Sequence, residues 1–418
     1  MLTATLITVG LVLLAMGLAE RHVKRLPLSP ATVYLIVGWI GGELLRGRID
    51  ASPLGPEHAN SLVVVTEVAL LASLFSVGLR LRVPPAMRGW RVAGLLASLG
   101  MVATVGLGTV AAAWLVPGLG WAASFLVAAI LAPTDPVLAG DLQIRSTTDR
   151  DALRVALTAE GGLNDATAAP FALLGLGLCG LVPLRAHGLA WAWHDLVWPM
   201  AGGIAFGWLF GRVLGRAMHG LLGRGHGLGW DELLYLGVIT LAFGLSRLTA
   251  TSAFLFVFTA ALGPLIAPRS MPRGEGMLAE SEALAERLRG FGERCGRLAE
   301  VAMVMLLGAG MAWVHWSWGT AAFALAMLLL VRPLAVLLSV PRGSLPPAQR
   351  RLVAWFGIRG VGSMYYLALA MNAGTSPELS TRLADAALPA IALSIIVHGI
   401  SATPLMTWYV GLRQARRT

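Results

Sequence analysis

The chain has 418 residues, 56% hydrophobic and 13% charged, with 32 Lys and Arg against 22 Asp and Glu. Soluble globular domains carry about 25% charged residues, so this composition argues against an ordinary soluble enzyme. The net charge of +10 does not point to nucleic acid, because the arginines fall between apolar runs. Cys179 and Cys295 lie in separate segments, which excludes a disulfide framework or zinc site.

Apolar runs long enough to cross a hydrocarbon layer of about 30 Å recur from end to end. The first, Met1 to Ala19, lacks a basic leader and predicts a first span rather than a cleaved signal. Thirteen spans are predicted, at 1–19, 30–46, 60–79, 90–116, 119–143, 152–181, 193–217, 230–248, 250–267, 297–316, 318–341, 347–372 and 385–411. Alternating the connections between two sides puts 25 of the 32 basic residues on one side and five on the other. The positive-inside rule then predicts an outside N-terminus and a cytoplasmic C-terminus. The polar stretch from Arg269 to Arg297 carries Leu284, Leu288 and Phe291 at helical spacing and predicts a cytoplasmic surface helix. No soluble regulatory domain is expected.

The fifth predicted span, "AILAPTDPVLAGD" at 129–141, breaks its own helix. Pro133 and Pro136 have no N–H, so the carbonyls of Ala129 and Ala132 lose their helical partners, and the chain should unwind around Thr134 and Asp135. Unwound backbone at membrane depth is tolerated only where it lines a cavity, and it commonly holds a small cation. A plain proline kink would explain the prolines and leave Asp135 unexplained. In the sixth span, "TAEGGLNDATAAP" sets Glu160, Gly161, Asn164 and Asp165 on one helical face. Two carboxylates on that stripe cannot face lipid, and helix-to-helix glue is an expensive use of them. Farther on, Gly203, Gly207, Gly211 and Gly215 form a ladder that predicts close helix packing. The eleventh span holds Arg332 in "LLLVRPLAVLL", and the twelfth holds Arg359 among Gly357, Gly360 and Gly362. The interior therefore has three carboxylates and two guanidiniums, which allows two pairs and leaves one acid over. Glu67 and His398 are isolated and read as interhelical hydrogen-bonding groups. "GLGLCG" at 175–180 imitates a dinucleotide-binding pattern without a preceding strand and is discounted.

"PTDPV", "EGGLNDA", "VRPL", "GIRGVGS", "ATSAFLFVFTAAL" and "VHGISATPL" occur in this order over nearly the whole chain. Together they resemble the cation:proton antiporter family, in its sodium/proton exchanger branch with the bacterial NhaP-like proteins. The resemblance implies an all-α polytopic membrane protein with about thirteen helices in an inverted repeat, its fifth and twelfth helices broken and crossing. It implies a core formed mainly by 90–181 and 318–411, a dimerisation part formed mainly by 1–79 and 193–316, a homodimer, and a bacterial inner membrane. By the same resemblance Glu160 pairs with Arg332 and Asp135 with Arg359. Asp165 then takes a cation or a proton in turn, with Asn164 and Thr134 assisting and Na⁺ held at Asp165, Glu160 and Thr134. No cofactor is expected beyond the transported monovalent cations and protons, and no enzymatic activity. Relatives often carry serine where Gly161 stands, so a hydroxyl ligand is absent and the choice among Na⁺, K⁺ and Li⁺ stays open. Asn164 replaces the second acid of electrogenic members, which implies electroneutral exchange. The competing readings lack their residues: a sodium-coupled symporter of organic anions needs a roomy polar pocket, a hydrolase needs a nucleophile motif, and a channel has no use for arginine-paired carboxylates.

Overall fold

Helix formation dominates because long apolar runs in lipid must satisfy every backbone polar group internally. The computed structural model describes residues 29–47, 52–81, 83–84, 86–135, 149–183, 188–222, 230–262 and 275–415, with a few isolated positions besides. The predicted span 1–19, apart from four isolated positions, and Pro136 lie outside the described residues.

In chain order the helices are α1 (Pro30–Leu45), α2 (Ala59–Arg80), α3 (Arg88–Leu115), α4 (Gly120–Ile130), α5 (Ala152–Leu178), α6 (Trp198–Leu222) and α7 (Asp231–Leu248). They continue with α8 (Ala253–Leu262), α9 (Glu275–Gly310), α10 (Trp318–Ser339), α11 (Pro347–Trp355), α12 (Val361–Asn372) and α13 (Pro377–Ala415). Among the described residues, six helical stretches are long and apolar enough to cross a membrane: Pro56–Arg80, Arg88–Leu115, Leu189–Met218, Ala283–Trp313, Trp318–Ser339 and Pro377–Ala415. Local chemistry sets several ends. Ser29 caps α1 by accepting from the Thr32 amide at 3.2 Å, and Pro30 follows at the first helical position. Asp151 caps α5 by accepting from the Leu153 and Arg154 amides.

The stretch predicted as a surface helix is helical from Glu275 onward and is not a separate element. It continues without interruption into the tenth span as α9, because no proline stands between Glu275 and Gly310. Its apolar stripe is covered by protein, with Leu284 and Leu288 each 1% exposed. Polar ties hold its flank: Arg287 donates to Asp231 at 2.6 Å, and Arg80 meets Glu293 at 3.2 Å.

Two seams of small residues draw helices together. Gly38 and Gly42 of α1 lie against the backbone of Met305 and Ala309 of α9, and Gly308 returns the contact toward Leu35. In α6, Gly203, Gly207 and Gly211 rest on Ser252, Phe256 and Ala260, so that part of the glycine ladder packs within the chain. Lipid is as apolar as leucine, so such close backbone approach replaces hydrophobic burial as the attraction between helices.

A side chain at these seams has nowhere to go. Gly42→Val is expected to cost about 1–3 kcal/mol through overpacking and to lower the melting temperature in detergent. Gly41→Val, next to it, meets nothing within 4 Å and serves as the control that should melt like the parent.

Candidate functional site

Helix α4 ends at Ile130 and leaves Leu131–Asp135 without regular structure; α11 ends at Trp355 and α12 does not begin until Val361. The two open segments meet. The Asp135 amide donates to the Ile358 carbonyl at 2.7 Å, and the Val361 amide donates to Asp135 Oδ2 at 2.8 Å. Asp135 thereby caps the first turn of α12, where a carboxylate is favoured by the unpaired amides. Gly360 permits this approach, since a Cβ there would strike the Asp135 carboxylate.

The buried Arg359 donates to the carbonyls of Ala132 and Pro133, the latter at 3.1 Å. The Ala132 carbonyl is one of those predicted to lose its helical partner, and the guanidinium supplies the replacement. The expected ion pair between Asp135 and Arg359 is absent among the described residues. The carboxylate is turned to the start of α12 and the guanidinium to the end of α4. Both groups brace the break through backbone.

Arg332 and Glu160 do meet. The guanidinium engages both carboxylate oxygens, at 2.5 and 2.9 Å, and also donates to the carbonyls of Val353 at 3.1 Å and Phe356 at 2.8 Å. Planar bidentate pairing is the strong geometry for this couple. Arg332 follows a widened π turn over Met327–Val331, a distortion common at functional positions. Both carboxylate oxygens of Glu160 are engaged by Arg332.

Asp165 lies five residues farther along α5 and is 1% exposed. Neither of its carboxylate oxygens has a hydrogen-bond partner, and neither does the buried Asn164 Oδ1. Asn164 donates through Nδ2 to Thr134 Oγ1 at 2.6 Å, tying α5 to the open segment after α4. The Asp165 carboxylate abuts Gly362 in the first turn of α12, and Tyr366 donates its hydroxyl proton to the Asp165 carbonyl. The structure thus brings Thr134, Asn164 and Asp165 together beside Pro133, with Glu160 and Arg332 adjoining. Sequence reasoning placed Gly362 only in the cluster around Arg359, missing its contact with Asp165, and missed Tyr366 altogether. Their four-residue spacing sets both on one face of α12, but nothing in the sequence set that face against Asp165. An uncompensated buried carboxylate is costly, so the site favours a bound proton or a small cation.

The isolated groups behave as hydrogen-bonding residues. Glu67 faces Arg247 at 3.4 Å, and the His398 ring bridges Ser394 and the Trp355 carbonyl, the latter at 2.9 Å.

A family model described as "Sodium/hydrogen exchanger, transmembrane" matches residues 10–408. The K(+)/H(+) antiporter NhaP of Alkalimonas amylolytica is 25% identical over 424 residues, covering 97% of this chain and 66% of the relative. A Na(+)/H(+) antiporter of Saccharomyces cerevisiae is 31% identical over 170 residues, covering 39% of this chain and 17% of the relative. The chain therefore spans about two thirds of the length of the first and a small part of the second. The structure of the sodium proton antiporter MjNhaP1 from Methanocaldococcus jannaschii at pH 8 is 18% identical. It superposes with a TM-score of 0.72, covering 97% of this chain and 98% of that one. A second structure of MjNhaP1, from an electron-microscopy map, gives a TM-score of 0.73 with coverage of 98% and 99%. These likenesses establish a common fold.

The Arg332–Glu160 geometry carries an energetic consequence. Removing one partner leaves a buried charge, worth about 3–5 kcal/mol of stability. Arg332→Met is expected to exceed Glu160→Gln in cost, because it also orphans the Val353 and Phe356 carbonyls. The double variant should recover part of the sum. Thermal melts in detergent with strictly additive losses would contradict the pairing.

Proposed function

The chain belongs to the sodium/hydrogen exchanger family, and from that premise we propose that it exchanges a monovalent cation for a proton across a membrane. One observation carries this reading: the buried Asp165 carboxylate has two unpartnered oxygens beside the unpartnered Asn164 Oδ1. Such a group neutralises itself with a proton or with a desolvated cation, and not with both. Competition for one carboxylate makes the two ions alternate.

The arrangement favours Asp165 as the shared carboxylate, with Asn164 Oδ1 as a neutral ligand. Thr134 takes part as the group that Asn164 grips. Glu160 acts through Arg332, which it holds against the end of α11. Na⁺ is the proposed cation, in keeping with the family description, while the relative named a K(+)/H(+) antiporter makes K⁺ the first competitor. Gly161 offers no hydroxyl to sharpen the choice.

The wider reading follows the same premise. The helix ends at 130 and 355, with α12 restarting at 361, are taken as two broken helices crossing in an inverted repeat of thirteen spans. The segments 90–181 and 318–411 form the moving core, and 1–79 and 193–316 the dimerisation part of a homodimer. We place the arginine-rich loops in the cytoplasm and the protein in a bacterial inner membrane.

Asp165→Asn should abolish cation-driven proton movement in proteoliposomes while leaving insertion and the detergent melt intact. Substantial residual exchange would remove Asp165 from this role.

Exchange should also be electroneutral. The Glu160–Arg332 pair is balanced, Asp135 and Arg359 offset each other within the same break, and Asp165 contributes one exchangeable charge. Clamping the membrane potential with valinomycin and potassium should leave the rate of Na⁺/H⁺ exchange unchanged. A moving net charge would instead respond by about 2.3 kcal/mol per 100 mV. A sustained current that scales with the imposed potential would refute the one-for-one count.

A further inference from the structure

The two breaks differ in what opens them. Pro133 and Pro136 interrupt the first through the chain itself. The second, from Phe356 to Gly360, contains no proline, and none occurs between Pro347 and Pro377. Gly357 and Gly360 weaken a helix there without preventing one. Groups outside the segment must therefore hold α11 and α12 apart.

A continuous helix would join the Arg359 amide to the Trp355 carbonyl four residues back. In the structure α13 takes both halves of that bond. The Arg359 amide donates to Ser394 Oγ at 3.0 Å, and His398 Nε2 stands 2.9 Å from the Trp355 carbonyl. A carbonyl only accepts, so Nε2 carries the proton. The ring is also tied to Ser394, its Nδ1 lying 3.1 Å from the hydroxyl oxygen and 2.8 Å from the carbonyl. Ser394 and His398 are one turn apart on the same face of α13, both deeply buried. Ser401, farther along that face, accepts from the Trp355 indole at 3.0 Å. Arg332 holds the Val353 and Phe356 carbonyls, and Asp135 the Ile358 carbonyl and the Val361 amide. The bond between residues 355 and 359 is the one that α13 answers.

We propose that Ser394 and His398 are a positioning pair, which keeps the second break open by separating the two halves of one helical hydrogen bond. The consequence reaches the ion site. With that bond apart, Arg359 is placed to donate to the Ala132 and Pro133 carbonyls, and α12 starts with Gly362 against the Asp165 carboxylate. Neither residue meets the ion; both act through Arg359 and α12. The consequence for transport rests on the exchanger reading, whereas the positioning does not.

Deuterium uptake and thermal melts of the full chain in detergent test the positioning without any ion movement. His398→Leu orphans the Trp355 carbonyl, and Ser394→Ala orphans the Arg359 amide. Each should lower the melting temperature and speed uptake over residues 356–361 about tenfold, with the α6–α8 seam unchanged. His398→Gln keeps an N–H donor and should behave like the parent. The double variant leaves two orphans that satisfy each other when the helix closes. Its melting temperature and local protection should therefore return toward those of the parent. Faster uptake throughout the chain, or a double variant that loses the sum of both single losses, would overturn the proposal.

The second measurement is cation-driven proton movement in proteoliposomes. His398→Leu should lower the maximal rate about tenfold or more, since the break and α12 are displaced. His398→Gln should retain most of the rate. The double variant should stay as slow as the slower single variant despite its recovered stability. Stable but slow is a combination that a contact merely supporting the fold does not produce. A double variant that regains transport along with stability would overturn the proposal. A parent chain that moves no ions would count against the exchanger reading, and deuterium uptake would still decide the pair.

Discussion

A helix that stops inside an apolar protein leaves carbonyls with no water to accept from, and this chain stops two helices there. The answer is the same at both places: a buried guanidinium. Arg359 takes the Ala132 and Pro133 carbonyls, and Arg332 takes those of Val353 and Phe356. Arginine suits the task because its five donors form a rigid planar fork that reaches several acceptors at once. Every other feature of the site is placed by these two braces, since they fix where the open segments run and therefore where α12 begins.

The positive braces demand negative charge nearby, and the structure supplies it asymmetrically. Glu160 answers Arg332 directly, oxygen to nitrogen. Asp135 answers the Val361 amide at the start of α12, so it offsets Arg359 through the field and not by contact. Asp165 has no such answer and is left with unpartnered oxygens in a space shaped by Gly362 and the Tyr366 hydroxyl. The proposed exchange at Asp165 rests on these unpartnered oxygens. A fully hydrogen-bonded carboxylate would have no reason to take an ion.

Elsewhere the molecule is held by different means. The seams between α1 and α9 and between α6 and α8 are backbone-close and built on glycine, whereas α5, α10 and the segments flanking α12 are joined by polar contacts. Backbone-close seams tolerate little sliding because each glycine registers against one residue. Polar contacts across open segments permit rearrangement, provided that partners are exchanged and not lost.

Much of the site was legible in the sequence because its residues are expensive. Prolines, acids and arginines inside apolar runs violate local rules, and each violation marked a position: Pro133, Asp135, Glu160, Asp165, Arg332 and Arg359. Helical spacing alone set Glu160, Asn164 and Asp165 on one face. Helix content was equally plain, since lipid leaves the backbone no other economical choice. The sequence did not determine partners. That Asp135 caps α12 while Arg359 grips carbonyls depends on where two distant open segments cross, and charge counting cannot distinguish a direct pair from two separate backbone braces. The continuity of α9 escaped for a related reason: polar composition reads as a boundary, while the apolar stripe of Leu284 and Leu288 is covered only once the fold supplies a neighbour. Gly362 and Tyr366 are cheap residues in an apolar helix and carry no local signal of strain. Only the tertiary structure, by setting the first turn of α12 against Asp165, gives them a role.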